Sequence, residues 1–186
     1  DALLVAARAD LKGGLVMCGG SVPAGHQVQK IQSHDLKPFV SLDGPLARVV
    51  SGKLQTLRQM PRAEYPWPMP TAAEILQIQA WPRVELVFNH AGAQGDNVCD
   101  MLLSSRPPKG LVVAGTGNGT LSEGLMAALL EAQSLGIEVQ LATRTGCGKV
   151  IAPSGLAFPL AASAQPWKAR MALQLMLMER ALASPM

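Results

Sequence analysis

The run Gly115-Thr116-Gly117-Asn118-Gly119-Thr120 concentrates groups able to do chemistry. It is entered from the apolar Leu111-Val112-Val113-Ala114 and left into a helical pattern from Leu121 to Ser134. A strand, a tight glycine turn and a helix start therefore follow one another. In an open α/β sheet such a turn lies at the carboxyl edge, where ligands bind. The glycines let the backbone bend sharply and come close to a ligand. Free N–H groups at a helix start favour a carboxylate or a phosphate. Thr120 reads as the helix cap, and Glu123 three residues on would complete a capping box. The same residues also fit a tight βα turn that holds nothing. No Lys-Ser or Lys-Thr follows the last glycine, so the run is not a P-loop, and glycines at alternate positions do not make a dinucleotide fingerprint.

Other reactive side chains are scattered. Lys30 reads as a solvated surface lysine, and acts as a base only where its surroundings lower its pKa. Asn118 suits a turn, because asparagine tolerates left-handed backbone, and its amide also suits a ligand. Arg144 fits a surface ion pair or a carboxylate partner. Cys18, Cys99 and Cys147 are odd in number and lack metal spacing, and His26, His34 and His90 stand far apart, so no metal site is expected. Cys147, between Gly146 and Gly148, sits in an expected exposed loop. Met171, Leu175 and Met178 form a helical packing stripe.

The elements that must position these groups follow from pattern. The chain has 186 residues, 48% of them apolar, and a net charge of +3. That permits a sizeable core and argues against disorder. The 16 basic residues form no run, so nucleic acid is not an expected partner. No apolar stretch reaches membrane-span length, so no membrane partner is expected. The chain begins at Asp1 without Met, inside an uncapped helical pattern, and so reads as cut from something longer; no cytoplasmic or periplasmic address is legible.

Residues 1–10 read as helix, Leu15 to Cys18 as a short buried strand, and 19–27 as loop. Leu46 to Val50 and Leu54 to Leu57 flank Ser51-Gly52-Lys53 as a hairpin. Residues 61–82, rich in proline, read as a partly extended linker. Beyond it, strands at 84–88, 110–114 and 137–142 alternate with helices at 97–103, 121–135 and 166–182, the last with Pro166 in its first turn. The expected architecture is α/β. Residues 1–60 would be the end of a larger N-terminal α/β domain, and 83–186 a small parallel-sheet C-terminal domain.

Several blocks resemble one family, the bacterial L-asparaginases. Val84-Glu85-Leu86-Val87-Phe88-Asn89-His90-Ala91 is similar to the first strand of that family's C-terminal domain. Gly110 to Ala114 with the glycine turn through Thr120 resembles its second strand and turn. Pro166-Trp167-Lys168-Ala169-Arg170 with Leu173-Gln174-Leu175 resembles its final helix. Before the linker, Val28-Gln29-Lys30-Ile31 and Gly44-Pro45-Leu46 resemble the end of its N-terminal domain. Nearly all of the chain is covered.

The resemblance implies hydrolysis of asparagine, with glutamine as a possible second amide substrate, to the amino diacid and ammonia without metal or organic cofactor. It implies a homo-oligomer, a tetramer in the family. Each site combines one subunit's N-terminal domain with a neighbour's C-terminal domain. It places Lys30 beside a catalytic threonine and aspartate, and Thr120 and Asn118 at the substrate. The family's Thr-Gly-Gly-Thr and second Thr-Asp motifs have no counterpart in these residues, so the chain alone should be inactive. Thr120 stands where many relatives carry asparagine or serine. Thr145 to Gly155 is short and lacks the glutamate that relatives place there for the substrate's amino group. A different class also fits the residues: a non-catalytic α/β module that holds a small anion at the turn or serves assembly.

Overall fold

A computed structural model describes residues 1–41, 43–59, 67–146, 148, 150–151 and 155–183. They fall into two compact units, Asp1–Glu64 and Tyr65–Met186.

The first unit is built from short pieces. Helix α1 (Ala2–Ala6) spans five residues rather than the expected ten and has no capping side chain. So short a helix gains few hydrogen bonds against its nucleation cost. Past it, Arg8 pairs with Asp10 at 2.7 Å. Strands β1 (Ser21–Val22), β2 (Val28–Lys30), β3 (Phe39–Ser41), β4 (Ala47–Val50) and β5 (Lys53–Thr56) follow. They make two antiparallel sheets, β1-β4-β5 and β2-β3. The expected hairpin is present: Val50 pairs with Lys53 across Ser51 (φ 49) and Gly52 (φ 71), two left-handed residues that match the twist of the strands. The expected strand at Leu15 to Cys18 is replaced by two isolated bridges, Leu15 to Ala24 and Cys18 to Ser21. Gly19 and Gly20, both at positive φ, fold the segment back on its own continuation before a ladder can grow. Val5, Val22 and Ala47 form the core of this unit.

The second unit opens within the expected linker. Helix α2 (Ala72–Gln77) forms there, an element that the reading of a partly extended linker does not name. Thr71 and Glu74 close a reciprocal capping box, Thr71 N–H to Glu74 Oε2 at 2.7 Å and Glu74 N–H to Thr71 Oγ1 at 3.3 Å. The alternating elements come next: β6 (Val84–Phe88), α3 (Asp96–Leu103), β7 (Gly110–Gly115), α4 (Glu123–Ser134), β8 (Glu138–Thr143) and α5 (Pro166–Ala183). The three strands pair in parallel in the order β6-β7-β8. This is the small parallel-sheet α/β domain that the sequence implies.

The central strand explains the layering. All six residues of β7 are buried. Leu111 and Val113 point into a core shared with Val98 of α3 and with Leu125 and Leu129 of α4. Val112 points the other way, toward Ala169, Leu173 and Met176 of α5. An apolar run with no polar alternation is what a strand covered on both faces requires. Gly110 lets α5 come close, since a Cβ there would stand 2.9 Å from Leu173. Arg170 and Gln174, one turn apart on α5, donate to the carbonyls of Val84 and Pro82 at 2.8 Å each. The far edge of β8 is covered by chain from Pro159 to Ala161, through Leu141 N–H to Pro159 O and Ala161 N–H to Leu141 O, both 2.8 Å. No helix of the described residues is long and apolar enough to cross a membrane.

Candidate functional site

The carboxyl end of β7 runs into the glycine turn. Thr116 and Thr120 close it: Thr116 N–H donates to Thr120 O at 3.0 Å, and Thr120 N–H to Thr116 O at 2.9 Å. Gly119 N–H adds a bond to Thr116 O at 3.0 Å. Gly117 (φ 50) and Gly119 (φ 87) take left-handed backbone. The two ends of the turn nearly touch, and a Cβ on Gly115 would stand 2.6 Å from the backbone of Gly119.

Three side chains from outside the turn hold it. Asn89, just past β6, is buried. Its Nδ2 donates to Thr120 O at 3.2 Å, and its Oδ1 accepts from Ser122 N–H at 3.0 Å. Thr143, the last residue of β8, donates its hydroxyl to Gly117 O at 2.8 Å. Ser122 donates its hydroxyl to Ala93 O at 2.6 Å. The turn itself reaches outward through Asn118, whose Nδ2 donates to Ile151 O at 2.9 Å while its Oδ1 accepts from Ile151 N–H at 2.6 Å.

These bonds revise the expected helix start. The cap position is Ser122, not Thr120, and no side chain caps α4. Thr120 belongs to the closed turn, and Asn89 has taken the Ser122 amide. The amides of Thr116, Gly119, Thr120 and Ser122 are all engaged within the protein. These four N–H groups are therefore not offered to an anion.

What the turn offers to solvent is side chains. Thr120 is exposed, and its hydroxyl makes no hydrogen bond among the described residues. Asn118 is exposed, but both ends of its amide are spent on Ile151. Arg144, exposed past β8, forms no ion pair among the described residues; its N–H donates to Gly115 O at 3.0 Å. Lys30 lies in the first unit as the last residue of β2, opposite Phe39 and exposed. Thus Thr120 and Asn118 share one turn, and Lys30 stands in a separate unit. Cys147 lies outside the described residues. No group of three His, Cys, Asp or Glu comes together among the described residues.

Asn89 and Thr143 are the residues that spacing does not reveal. Each is a single polar side chain at a strand end, and each bonds to a residue 26 or more positions away. The arrangement holds one hydroxyl on a rigid rim at the ligand-binding edge of a parallel sheet.

The family model described as Glutaminase/Asparaginase C-terminal domain matches residues 83–182. The chain is similar to "Glutaminase-asparaginase" of Pseudomonas fluorescens biotype A, 29% identical over 150 residues, which are 80% of this chain and 40% of that protein. It is similar to "L-asparaginase 2" of Escherichia coli (strain K12), 28% identical over 172 residues, which are 89% of this chain and 48% of that protein. The chain thus spans less than half the length of these two curated relatives. The crystal structure titled "Probable Cytoplasmic L-asparaginase from Campylobacter jejuni" superposes with a TM-score of 0.83 at 24% identity, over 96% of this chain and 57% of that one, and so shares the fold.

Proposed function

This chain belongs to the glutaminase/asparaginase family, and we propose on that premise that it supplies part of an asparaginase-type amidohydrolase. The reaction is hydrolysis of L-asparagine to L-aspartate and ammonia, with glutamine as the alternative amide. Residues 1–60 close the N-terminal domain, 61–82 link, and 83–186 form the C-terminal domain. The hydroxyl of Thr120, without a hydrogen bond among the described residues, carries this reading. It supports a substrate contact across a subunit boundary in a homo-oligomer.

The chemistry divides accordingly. A hydroxyl is a weak nucleophile until a neighbouring base activates it. The attacking threonine and its threonine–aspartate partner come from outside these 186 residues. Lys30 lies beside that pair and assists proton transfer from the nucleophile to the departing ammonia. Thr120 hydrogen-bonds the bound substrate and removes no proton. Asn118 acts through the backbone, keeping the turn tied to Ile151.

The test is ammonia release. The 186-residue chain alone should release no ammonia from asparagine. Combined with the separately produced N-terminal part of the Escherichia coli relative, it should. Release by the chain alone at the rate of a whole enzyme would overturn the division of labour. Failure of a folded, associated pair to release ammonia would overturn the activity.

A further inference from the structure

We propose that Asn89 is the positioning residue for the Thr120 hydroxyl, a role that rests on the reading of Thr120 as the substrate-facing group. Asn89 is 6% exposed, and both ends of its carboxamide are committed. One end fixes the carbonyl of Thr120 and the other fixes the amide of Ser122, so the backbone is pinned on either side of Leu121. Asn89 is itself held as a rung of the sheet, its N–H donating to Ala114 O at 3.0 Å. The direction in which the Thr120 side chain leaves the turn is therefore set by the end of β6 as well as by the turn.

The chemistry of the amide is specific. Asparagine offers a donor and an acceptor from one short side chain. Aspartate keeps the acceptor for Ser122 but turns a second acceptor toward the Thr120 carbonyl. The two bonds of Asn89 separate in Asn89→Asp: the helix start keeps its partner, and the Thr120 carbonyl loses the donor from β6 and keeps only those from Thr116 within the turn.

In the full chain, Asn89→Asp should leave amide protection along α4 unchanged while the Thr120 side chain changes from one χ1 rotamer to an average, read from three-bond couplings. A residue that only supports the helix would move the protection and not the rotamer. Asn89→Ser, which removes both bonds without adding charge, gives the same rotamer readout should Asn89→Asp unfold. A Thr120 rotamer unaffected by both variants overturns the proposal. In the chain combined with the N-terminal part of the relative, Asn89→Asp should raise KM for asparagine roughly three- to tenfold with kcat little changed, the loss of about one hydrogen bond. It should add nothing to Thr120→Ala. If Thr120→Ala leaves KM unchanged while Asn89→Asp still frees the rotamer, the substrate reading of Thr120 fails and the geometric link stands.

Discussion

Asn118 grips the backbone of Ile151 from 33 residues away, accepting from its N–H at 2.6 Å and donating to its carbonyl at 2.9 Å. A side-chain amide here completes the pairing that a neighbouring strand would otherwise supply. It fastens the chain beyond β8 to the glycine turn. Asn118→Ala should release that chain locally. Each lost bond is worth about 0.5–1.5 kcal/mol, less at an exposed position. The expected outcome is faster amide exchange at Ile151 with the thermal midpoint nearly unchanged. Unaltered exchange at Ile151 would show that the grip holds nothing.

The two glycines at the mouth of the turn should respond differently. A Cβ on Gly117 meets open space, and its cost is the left-handed backbone alone, about 1 kcal/mol. A Cβ on Gly115 would collide with the Gly119 backbone at 2.6 Å. Overpacking of that kind costs about 1–3 kcal/mol or more. Urea unfolding should therefore place the midpoint of Gly115→Ala below that of Gly117→Ala. The reverse order would mean that the turn opens readily.

Thr71 holds the Glu74 carboxyl below the usual glutamate range, first through its hydroxyl and then through its backbone N–H. A lowered carboxyl pKa means that the capping box is fully formed above the ordinary glutamate range and is lost as pH falls through the folded value. A carboxyl titration followed by NMR should find Glu74 low in the wild-type chain and closer to the ordinary value in Thr71→Ala, which removes the hydroxyl and keeps the backbone N–H. An equal midpoint in both would mean that the box does not persist in solution.

Gln140 carries the opposite kind of polar group. It is 4% exposed and faces α5; its Nε2 lies 3.9 Å from Met176 Sδ, and its Oε1 has no partner among the described residues. A buried acceptor left unmade costs about 1–3 kcal/mol. Gln140→Leu, close in volume, should leave the urea midpoint unchanged or raise it. A loss of more than about 1 kcal/mol would show that Gln140 has a partner that strengthens the core.

The parallel sheet was legible because its short strands alternate with helical periods, and β7 in particular carries no polar residue at all. The Ser51-Gly52 hairpin was legible because two residues at positive φ leave a clear composition. Helix α2 was not. Its Thr-x-x-Glu signal sits among prolines that favour extended chain, and the local capping box outweighed them. Thr120 was misplaced as a cap because sequence shows the residues of a turn but not which carbonyl closes it. Asn89 was invisible as a support for the same reason: its importance comes from two partners that only folding brings within reach.

The central claim is that this chain brings working parts of an amide-hydrolysing site, and Lys30 is its most exacting test. The measurement is the rate of ammonia release from asparagine by this chain combined with the N-terminal part of the Escherichia coli relative, with Lys30 intact and as Lys30→Ala. Loss of a proton-handling group should lower kcat by roughly 10²–10⁴-fold, and Lys30→Arg should not restore it, because a guanidinium does not give up its proton. A rate unchanged in Lys30→Ala would contradict the account.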